Sequence, residues 1–300
     1  MAMWLTWLLI IGAAINTGSP GEPREMRIAL VDASWGRSSL SDRIVQLLRS
    51  LVSEGDGIAL QDPAIVRSAV RGFGYDGSLN LTVKQAHQLG AAIGCDYYIL
   101  GRGNIDAVSV ASQGIVYRAW AALFFVNARS GKLALFAFTV EERARRHEAA
   151  RALIAALERK VPRCLHQIAH APPAAWRPSA ASMKVIDIED PHALPANITP
   201  PRILLSPKPV YPRWAHIADV TATVELQVTF LPDGRIGPID VVRWAGFGLD
   251  ESARRAARAI RFRPATIDGR PVAARALLRY EFKLTPSPPR SKLKAQSASK

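Results

Sequence analysis

Thr221–Phe230 constrains the fold more than any other stretch, because its side chains alternate strictly between apolar and polar. The apolar positions are Ala222, Val224, Leu226, Val228 and Phe230. A period of two is typical of a strand with one buried face in an antiparallel sheet. Leu231–Gly234 then supplies turn residues, since proline fixes φ and glycine tolerates positive φ. The pattern predicts a β-hairpin whose second strand covers Ile239–Trp244.

Two further patterns follow this hairpin. Apolar residues between Leu249 and Ile260 recur at helical spacing, and arginines lie between them. After an Asp268-Gly269 turn, alternation from Val272 to Leu284 predicts a long last strand. The order strand, strand, helix, strand predicts a small α+β domain, with one main helix on a three-stranded antiparallel sheet.

The same region, about residues 203–285, resembles the carboxyl-terminal domain of the TonB family. The motifs that carry the resemblance are Pro209-Val210-Tyr211-Pro212 with Ala215, Pro232-Asp233-Gly234-Arg235, Gly246-Phe247-Gly248-Leu249-Asp250 with Ala253, Arg261-Phe262-Arg263-Pro264-Ala265 and Asp268-Gly269-Arg270-Pro271-Val272. Many members have a glycine at the entrance to the first long strand, whereas this chain has Ala218-Asp219-Val220 there.

The resemblance implies a cell-envelope protein that docks an extended peptide of an outer-membrane transporter and so supports energy-dependent transport. In that mode the peptide adds a strand to an exposed sheet edge. The partner-binding residues it implies are Ala274, Arg275, Ala276, Leu277, Leu278, Arg279, Tyr280, Glu281, Phe282 and Lys283. The family also implies an inner-membrane motor complex as a partner. The alternative is a periplasmic scaffold or adapter without energy coupling, whose small sheet pairs with a second copy as a homodimer or with a neighbour.

Length and charge bound the remaining possibilities. A chain of 300 residues predicts about two domains, each able to bury a core. A net charge of +14 favours an acidic partner, such as nucleic acid, an anionic membrane surface or an acidic protein. No nucleic-acid partner is expected, because no recognised reader motif accompanies the charge.

The amino terminus carries an uncharged apolar run at residues 2–16. As a helix it would span about 22 Å, which is short of a hydrocarbon core of about 30 Å. Residues 1–20 are therefore expected to form either a cleaved signal peptide or a short membrane anchor, and in both cases the rest faces the periplasm. The run has no titratable side chain, which argues against a direct response to a proton gradient.

Residues 25–170 are expected to form a mixed α/β domain. Expected strands are 26–31, 57–60, 96–100, 115–126 and 133–140, and expected helices are 40–51, 64–70, 82–93 and 141–168. The domain weakly resembles the amino-terminal domain of TolB and CsgG-type envelope domains, on the basis of Leu89-Gly90 followed by Gly94–Gly101. That resemblance implies a partner-binding module without catalysis.

The two remaining segments are rich in proline or in basic residues. Seven prolines within 171–202 predict a linker without regular elements that separates the domains. Residues 286–300 combine basic residues with Pro, Ser and Ala and no acidic residue, which predicts a disordered basic tail.

Three patterns carry chemistry elsewhere, and each is weighed against a simpler interpretation. Cys95 and Cys164 can form a disulfide in an exported chain, or remain two buried thiols. Gly72–Gly77 matches G-x-G-x-x-G, but a helix rather than a strand is predicted before it. Cys164, His166 and His170 lack a clear further metal ligand. We expect no metal, no cofactor and no enzyme activity.

Overall fold

The computed structural model describes residues 25–36, 38–110, 114–170, 185–188 and 194–284. The predicted amino-terminal segment and basic tail lie outside the described residues. Of the predicted linker, only 185–188 and 194–202 are described.

The first domain is a five-stranded sheet with helices on both faces. Its strands are β1 (Met26–Leu30), β2 (Ile58–Leu60), β3 (Tyr97–Val110), β4 (Gly114–Asn127) and β5 (Leu133–Arg143). Its helices are α1 (Ser39–Ser53), α2 (Pro63–Phe73), α3 (Val83–Ile93) and α4 (Arg146–Ala169). The strand order is β2-β1-β3-β4-β5, in which β1 runs parallel to β2 and β3 while β3, β4 and β5 are antiparallel. The predicted mixed α/β architecture is confirmed.

Local sequence explains where three of these helices begin. The Ser38 side chain accepts a hydrogen bond from the Ser41 N–H at the start of α1. Asp62 accepts from the Ala64 N–H before α2, and a proline occupies the first helical position. Thr82 forms a full capping box with Gln85 at the start of α3.

Two predicted boundaries in this domain are wrong. The strand expected at 96–100 continues to Val110, because its second half pairs residue by residue with β4. The long helix expected from residue 141 begins only at Arg146. Residues 141–143 extend β5 instead, since they pair with 117–119 of β4.

Strand β4 separates two cores, because alternate side chains point to opposite faces of the sheet. On one face, Leu123 and Phe125 pack with α1 and α4. On the other face, Phe124 and Val126 pack with α2 and α3. This second core also contains Leu226 and many other residues of the carboxyl-terminal domain.

The second domain is built on three long antiparallel strands, as predicted. Its strands are β6 (Val185–Ile188), β7 (Ile198–Thr199), β8 (Arg202–Leu205), β9 (Ala222–Phe230), β10 (Ile236–Arg243), β11 (Arg261–Arg263), β12 (Ala265–Ile267) and β13 (Arg270–Phe282). Its helices are the short α5 (Arg213–Ile217) and α6 (Leu249–Arg258). The three-stranded core is β10-β9-β13. The structure adds short strands that were not predicted, since β12, β7 and β6 extend this sheet and β11-β8 forms a separate ribbon.

The linker prediction is therefore wrong in part, because β6 and β7 lie within 171–202 and β8 begins at its last residue. Prolines 195, 200 and 201 flank these strands without interrupting them. The predicted separation of the domains is also wrong, since both contribute side chains to one continuous core.

Candidate functional site: the edge of the last strand

Strand β13 carries all but the last of the predicted partner-binding residues, and β9 holds it in place. The two strands pair antiparallel from Ala274 opposite Phe230 to Phe282 opposite Ala222. Its inward side chains join the shared core and are Ala276, Leu278, Tyr280 and Phe282. Its outward side chains are Arg275, Leu277, Arg279 and Glu281, and Lys283 follows the strand.

The proline-tyrosine motif anchors the end of this strand. The Tyr211 ring packs edge-on against Phe282 at 6.2 Å between ring centroids, and against His216 at 4.4 Å. The Tyr211 hydroxyl donates to the Val220 carbonyl. The motif thus fixes the carboxyl end of β13 relative to α5.

A buried carboxylate organises the outward face of the sheet. Glu225 of β9 has a side chain that is only 8% exposed, and it forms ion pairs with Arg279 at 2.8 Å and with Arg243 at 3.3 Å. Two guanidinium groups therefore compensate the burial of one carboxylate. Further along, Lys283 lies 2.9 Å from Glu281, and this hydrogen bond lowers the pKa of the Glu281 carboxyl group. The face presents fixed charges of both signs beside the edge.

The first half of the edge is already occupied. On the side away from β9, β6 pairs parallel with β13, from Val185 opposite Ala273 to Ile188 opposite Ala276. The prediction of a wholly open edge is therefore wrong for Ala274, Arg275 and Ala276. An unpaired main chain attracts any extended segment within reach, and here the segment comes from the same chain.

The second half of the edge is open. Within the described ranges, no strand pairs with Leu277–Phe282 on the side away from β9. Leu277 points outward and is 53% exposed. Alternate residues of a strand direct their N–H and C=O groups to opposite sides, so about half of these six residues present unpaired main-chain groups.

An aromatic cluster joins the two domains behind this sheet. The loop between β10 and α6 places Phe247 5.0 Å from Phe136 and 5.7 Å from Phe138, as ring-centroid distances. Trp244 lies 5.7 Å from Phe124, and its indole N–H donates to the Gly131 carbonyl. The family motif at 246–250 thus contributes to the contact between the domains.

Two features of the same loop explain why it has this shape. Gly246 has φ +70°, and a Cβ there would lie 2.6 Å from the Phe124 ring, so only glycine fits. The buried Asp250 carboxylate accepts hydrogen bonds from the Ala245 and Gly246 N–H groups. Burial raises the pKa of Asp250 to about 6.

Asn80 is a junction residue that the sequence analysis did not identify. Its Nδ2 donates to the carbonyls of Thr223 and Trp244, both at 2.8 Å, and its Oδ1 accepts from the Thr223 N–H at 3.0 Å. An asparagine in a loop has no local signature for such a contact. The one hint in the sequence is that Asn80 lies directly before Leu81 and Thr82, and Thr82 caps the start of α3.

Of the two alternatives for the cysteines, the disulfide is not found. Cys95 and Cys164 are free buried thiols that belong to different cores, on opposite faces of the first sheet. Burial raises the pKa of both thiols, that of Cys95 to about 12. The structure corresponds to the alternative of two buried thiols.

The other two chemical motifs do not form a cofactor or metal site among the described residues. Gly72 lies in the last turn of α2, Gly74 caps its carboxyl end, and the next helix begins only at Val83, so the glycines do not open a helix as a dinucleotide site requires. His166 and His170 stack at 4.0 Å between ring centroids. Among the described residues, no group of three or more His, Cys, Asp or Glu side chains is placed to hold a metal ion.

Two small clefts lie at the domain junction, with volumes of about 270 and 200 Å³. Lys132, Asp240, Glu251 and Arg254 line the larger one. Both volumes fall below the range of about 300–1,000 Å³ that is usual for small-molecule sites. At the domain junction, the open strand edge is therefore a better candidate for a functional site than either cleft. Two larger clefts, of about 520 and 510 Å³, lie in the first domain beside Asp32 and Gly36.

In the part of the chain that the structure describes, none of the helices has both the length and the hydrophobicity needed to cross a membrane.

Comparison with known proteins agrees with the architecture of the second domain. The model of the TonB carboxyl-terminal family of Gram-negative bacteria matches residues 207–284. The solution structure of the Pseudomonas aeruginosa TonB carboxyl-terminal domain is 28% identical, and the match covers 34% of this chain and 96% of that chain with a TM-score of 0.26. No curated protein matches the chain.

Two other solved structures match a larger share of the chain at lower identity. Lipoprotein GNA1162 from Neisseria meningitidis is 15% identical, with coverage of 48% of this chain and 98% of that chain and a TM-score of 0.33. The hypothetical protein CT253 from Chlamydia trachomatis is 8% identical, with coverage of 49% and 99% and a TM-score of 0.34. The resemblance of residues 25–170 to TolB and CsgG-type domains stays a prediction.

Residues 207–284 form a TonB-family carboxyl-terminal domain. The presence of this domain supports a TonB-like protein of the cell envelope, and domains of this family interact with outer-membrane transporters in general.

Proposed function

We propose that this chain is a periplasm-facing adapter that docks an extended peptide of an outer-membrane transporter by strand addition to β13. The observation that carries the proposal is the unpaired side of Leu277–Phe282. A strand edge of this kind supplies affinity through main-chain hydrogen bonds, and the alternating side chains supply selectivity. The adapter works by binding alone, without catalysis.

The available bonds set the expected strength of docking. Six residues offer about six main-chain hydrogen bonds, worth about 6 kcal/mol in total. A dissociation constant of 1 μM requires about 8 kcal/mol. Side-chain contacts must therefore contribute about 2 kcal/mol, and the exposed Leu277 is placed to do so. Docking is transient and depends on the peptide sequence.

The test uses the full chain and synthetic peptides that copy the periplasm-facing plug segments of outer-membrane transporters from the same genome. Fluorescence anisotropy should give dissociation constants in the micromolar range for at least one peptide. Leu277→Glu should weaken that binding about tenfold or more, because it removes the apolar contact. The matched control is Ile115→Glu, at a side chain that is 64% exposed on the β3–β4 hairpin. An absence of binding at about 1 mM peptide would reject the proposal.

Support for energy-dependent transport is part of the same proposal. It requires a link to an inner-membrane motor complex, and the segment expected to provide a tether lies outside the described residues. Cross-linking of the chain to motor proteins in intact cells tests this step. Recovery of the adapter without any motor component favours docking without energy coupling.

A second candidate function is a periplasmic scaffold in which two copies pair. The observation that favours it is β8, whose three apolar side chains are all exposed. They are Ile203, Leu204 and Leu205, at 43%, 57% and 51% exposure. Among the described strands, β8 pairs only with β11. Light scattering should then give the mass of a dimer for the wild type and of a monomer for Leu204→Asp.

A further inference from the structure

The occupied half of the edge differs chemically from the open half. The part of β13 that pairs with β6 carries three small side chains, Ala273, Ala274 and Ala276, whereas larger side chains follow from Leu277 onward. The inward alanines, together with Ala265 and Leu194, form a small apolar cluster around Ile188. We call the surface formed by Ala265, Ala274 and Ala276 the apolar trough. It fits an aliphatic side chain from an added strand.

The added strand β6 contacts the trough through alternate residues. Ile186 and Ile188 face inward, and Ile188 is 5% exposed. Asp187 faces outward opposite Arg275, and their charged groups lie 3.4 Å apart. The edge thus selects an aliphatic residue on one face and an acidic residue on the other.

The contacts of β6 are limited in number. Four residues pair with β13, one of their side chains is fully buried, and the Asp187 side chain is 59% exposed. An exposed ion pair of this kind adds little stability. However, a tethered segment acts at an effective concentration on the order of millimolar. It can therefore outcompete a free peptide, and yet it remains displaceable.

The direction of β6 determines how it meets a visiting strand. Because β6 runs parallel to β13 and ends opposite Ala276, its carboxyl end lies where the open half begins. A visiting strand that pairs with more than the six residues Leu277–Phe282 must take the place of β6.

We propose that Val185–Ile188 occupies, within the same chain, the site at which the docked partner binds. It occupies the subsite for an extended segment that carries an acidic residue opposite Arg275 and an aliphatic residue opposite Ala276. A partner must displace it to use the whole edge. This inference rests on the proposed function, because it concerns the same strand edge.

The first experiment compares the full-length wild type with the release variant Ile186→Asp/Ile188→Asp. The probe is a labelled synthetic peptide with the sequence of residues 183–190 of this chain. If β6 occupies the subsite 90–99% of the time, its release should tighten binding about tenfold to a hundredfold. A peptide with lysine in place of Asp187, or with aspartate in place of Ile188, should bind the release variant at least tenfold more weakly.

The matched control is Ile65→Asp/Ile115→Asp, which alters two exposed apolar residues of the first domain and leaves the trough intact. It should bind the probe as weakly as the wild type does. Circular dichroism establishes that each variant is folded. Equal binding by wild type and release variant, or no binding by either, would overturn the inference.

A second experiment locks the segment reversibly, because the release variant removes a buried side chain. In Asp187→Cys/Arg275→Cys the two cysteines are directly opposite in the β6–β13 register, which is the arrangement a disulfide needs. The native thiols are buried and belong to the first domain. The oxidised protein should bind the probe at least tenfold more weakly than the same protein after reduction, and equal affinities would contradict the inference.

Transporter plug peptides separate this inference from the proposed function. A plug peptide that binds wild type and release variant equally leaves the docking function in place and overturns the inference. If no plug peptide binds either protein while the 183–190 peptide binds the release variant, the transporter is rejected as partner. In that case the subsite chemistry is supported.

Discussion

Asn80 provides the sharpest test of the domain junction, because one side chain makes three hydrogen bonds across it. Asn80→Ala removes the bonds to the Thr223 and Trp244 carbonyls and to the Thr223 N–H. Each bond contributes about 1 kcal/mol net, and the groups left behind are part-buried. We expect the free energy of unfolding to fall by about 3 kcal/mol.

Urea denaturation of the full chain measures this change. Tryptophan fluorescence and far-ultraviolet circular dichroism should give coincident transitions for the wild type, since both domains share one core. The control is Asn104→Ala, at an exposed asparagine that bonds only to the Asp106 side chain. That variant should remain within about 0.5 kcal/mol of the wild type.

A second substitution, Asn80→Asp, separates hydrogen bonding from shape. The carboxylate still accepts from the Thr223 N–H, but its other oxygen faces the Thr223 and Trp244 carbonyls. The loss at neutral pH should therefore equal or exceed that of alanine, and it should shrink in acid as the carboxyl group gains a proton. A loss below about 0.5 kcal/mol for Asn80→Ala would refute the described junction.

Three further predictions concern the loop and the thiols. Gly246→Ala should destabilise the protein more than Gly269→Ala, because both positions have positive φ but only the Cβ at 246 meets aromatic rings. The left-handed backbone conformation alone costs alanine about 1–2 kcal/mol at either position. Equal denaturation midpoints for the two variants would contradict the expectation. Burial raises the pKa of Asp250 from 3.8 to about 6, so the wild-type free energy of unfolding should decrease as pH rises from about 4 to about 6, and Asp250→Asn should flatten that slope. Cys95 and Cys164 are free and buried, so a thiol reagent should titrate two thiols in denaturant and react slowly in the native protein. The absence of titratable thiols in denaturant would show that the two are bonded.

Local sequence was enough to predict the elements whose stability is local. The alternation over Thr221–Phe230 corresponds to β9, and the capping box at Thr82 opens α3. In each case the hydrogen bonds or the buried face are set by residues within one element. The three-stranded core of the second domain follows from such patterns together with the turns.

The elements that depend on distant partners could not be predicted in this way. Val185–Ile188 is a strand because it meets the edge of β13 almost ninety residues later, and four residues are too short for a period of two to be distinctive. Residues 141–143 are charged and resemble a helix start, but pairing with β4 holds them in a strand.

The candidate site shows the same limit. The sequence predicted β13 as the functional strand, but it could not show that half of its edge is occupied. Likewise, Trp244 and Phe247 were recognisable as packing residues or as part of a family motif. Their partners in the first domain, such as Phe124, became apparent only from the fold.

The shared aromatic core has a consequence for biogenesis. Phe124, Phe136 and Phe138 are synthesised about a hundred residues before Trp244 and Phe247, which cover them. Until the last part of the chain has been synthesised, these three phenylalanines leave an apolar surface of the first domain exposed, to which chaperones or other nascent chains can bind. Premature termination before residue 244 should therefore yield an aggregating product rather than a soluble half-molecule.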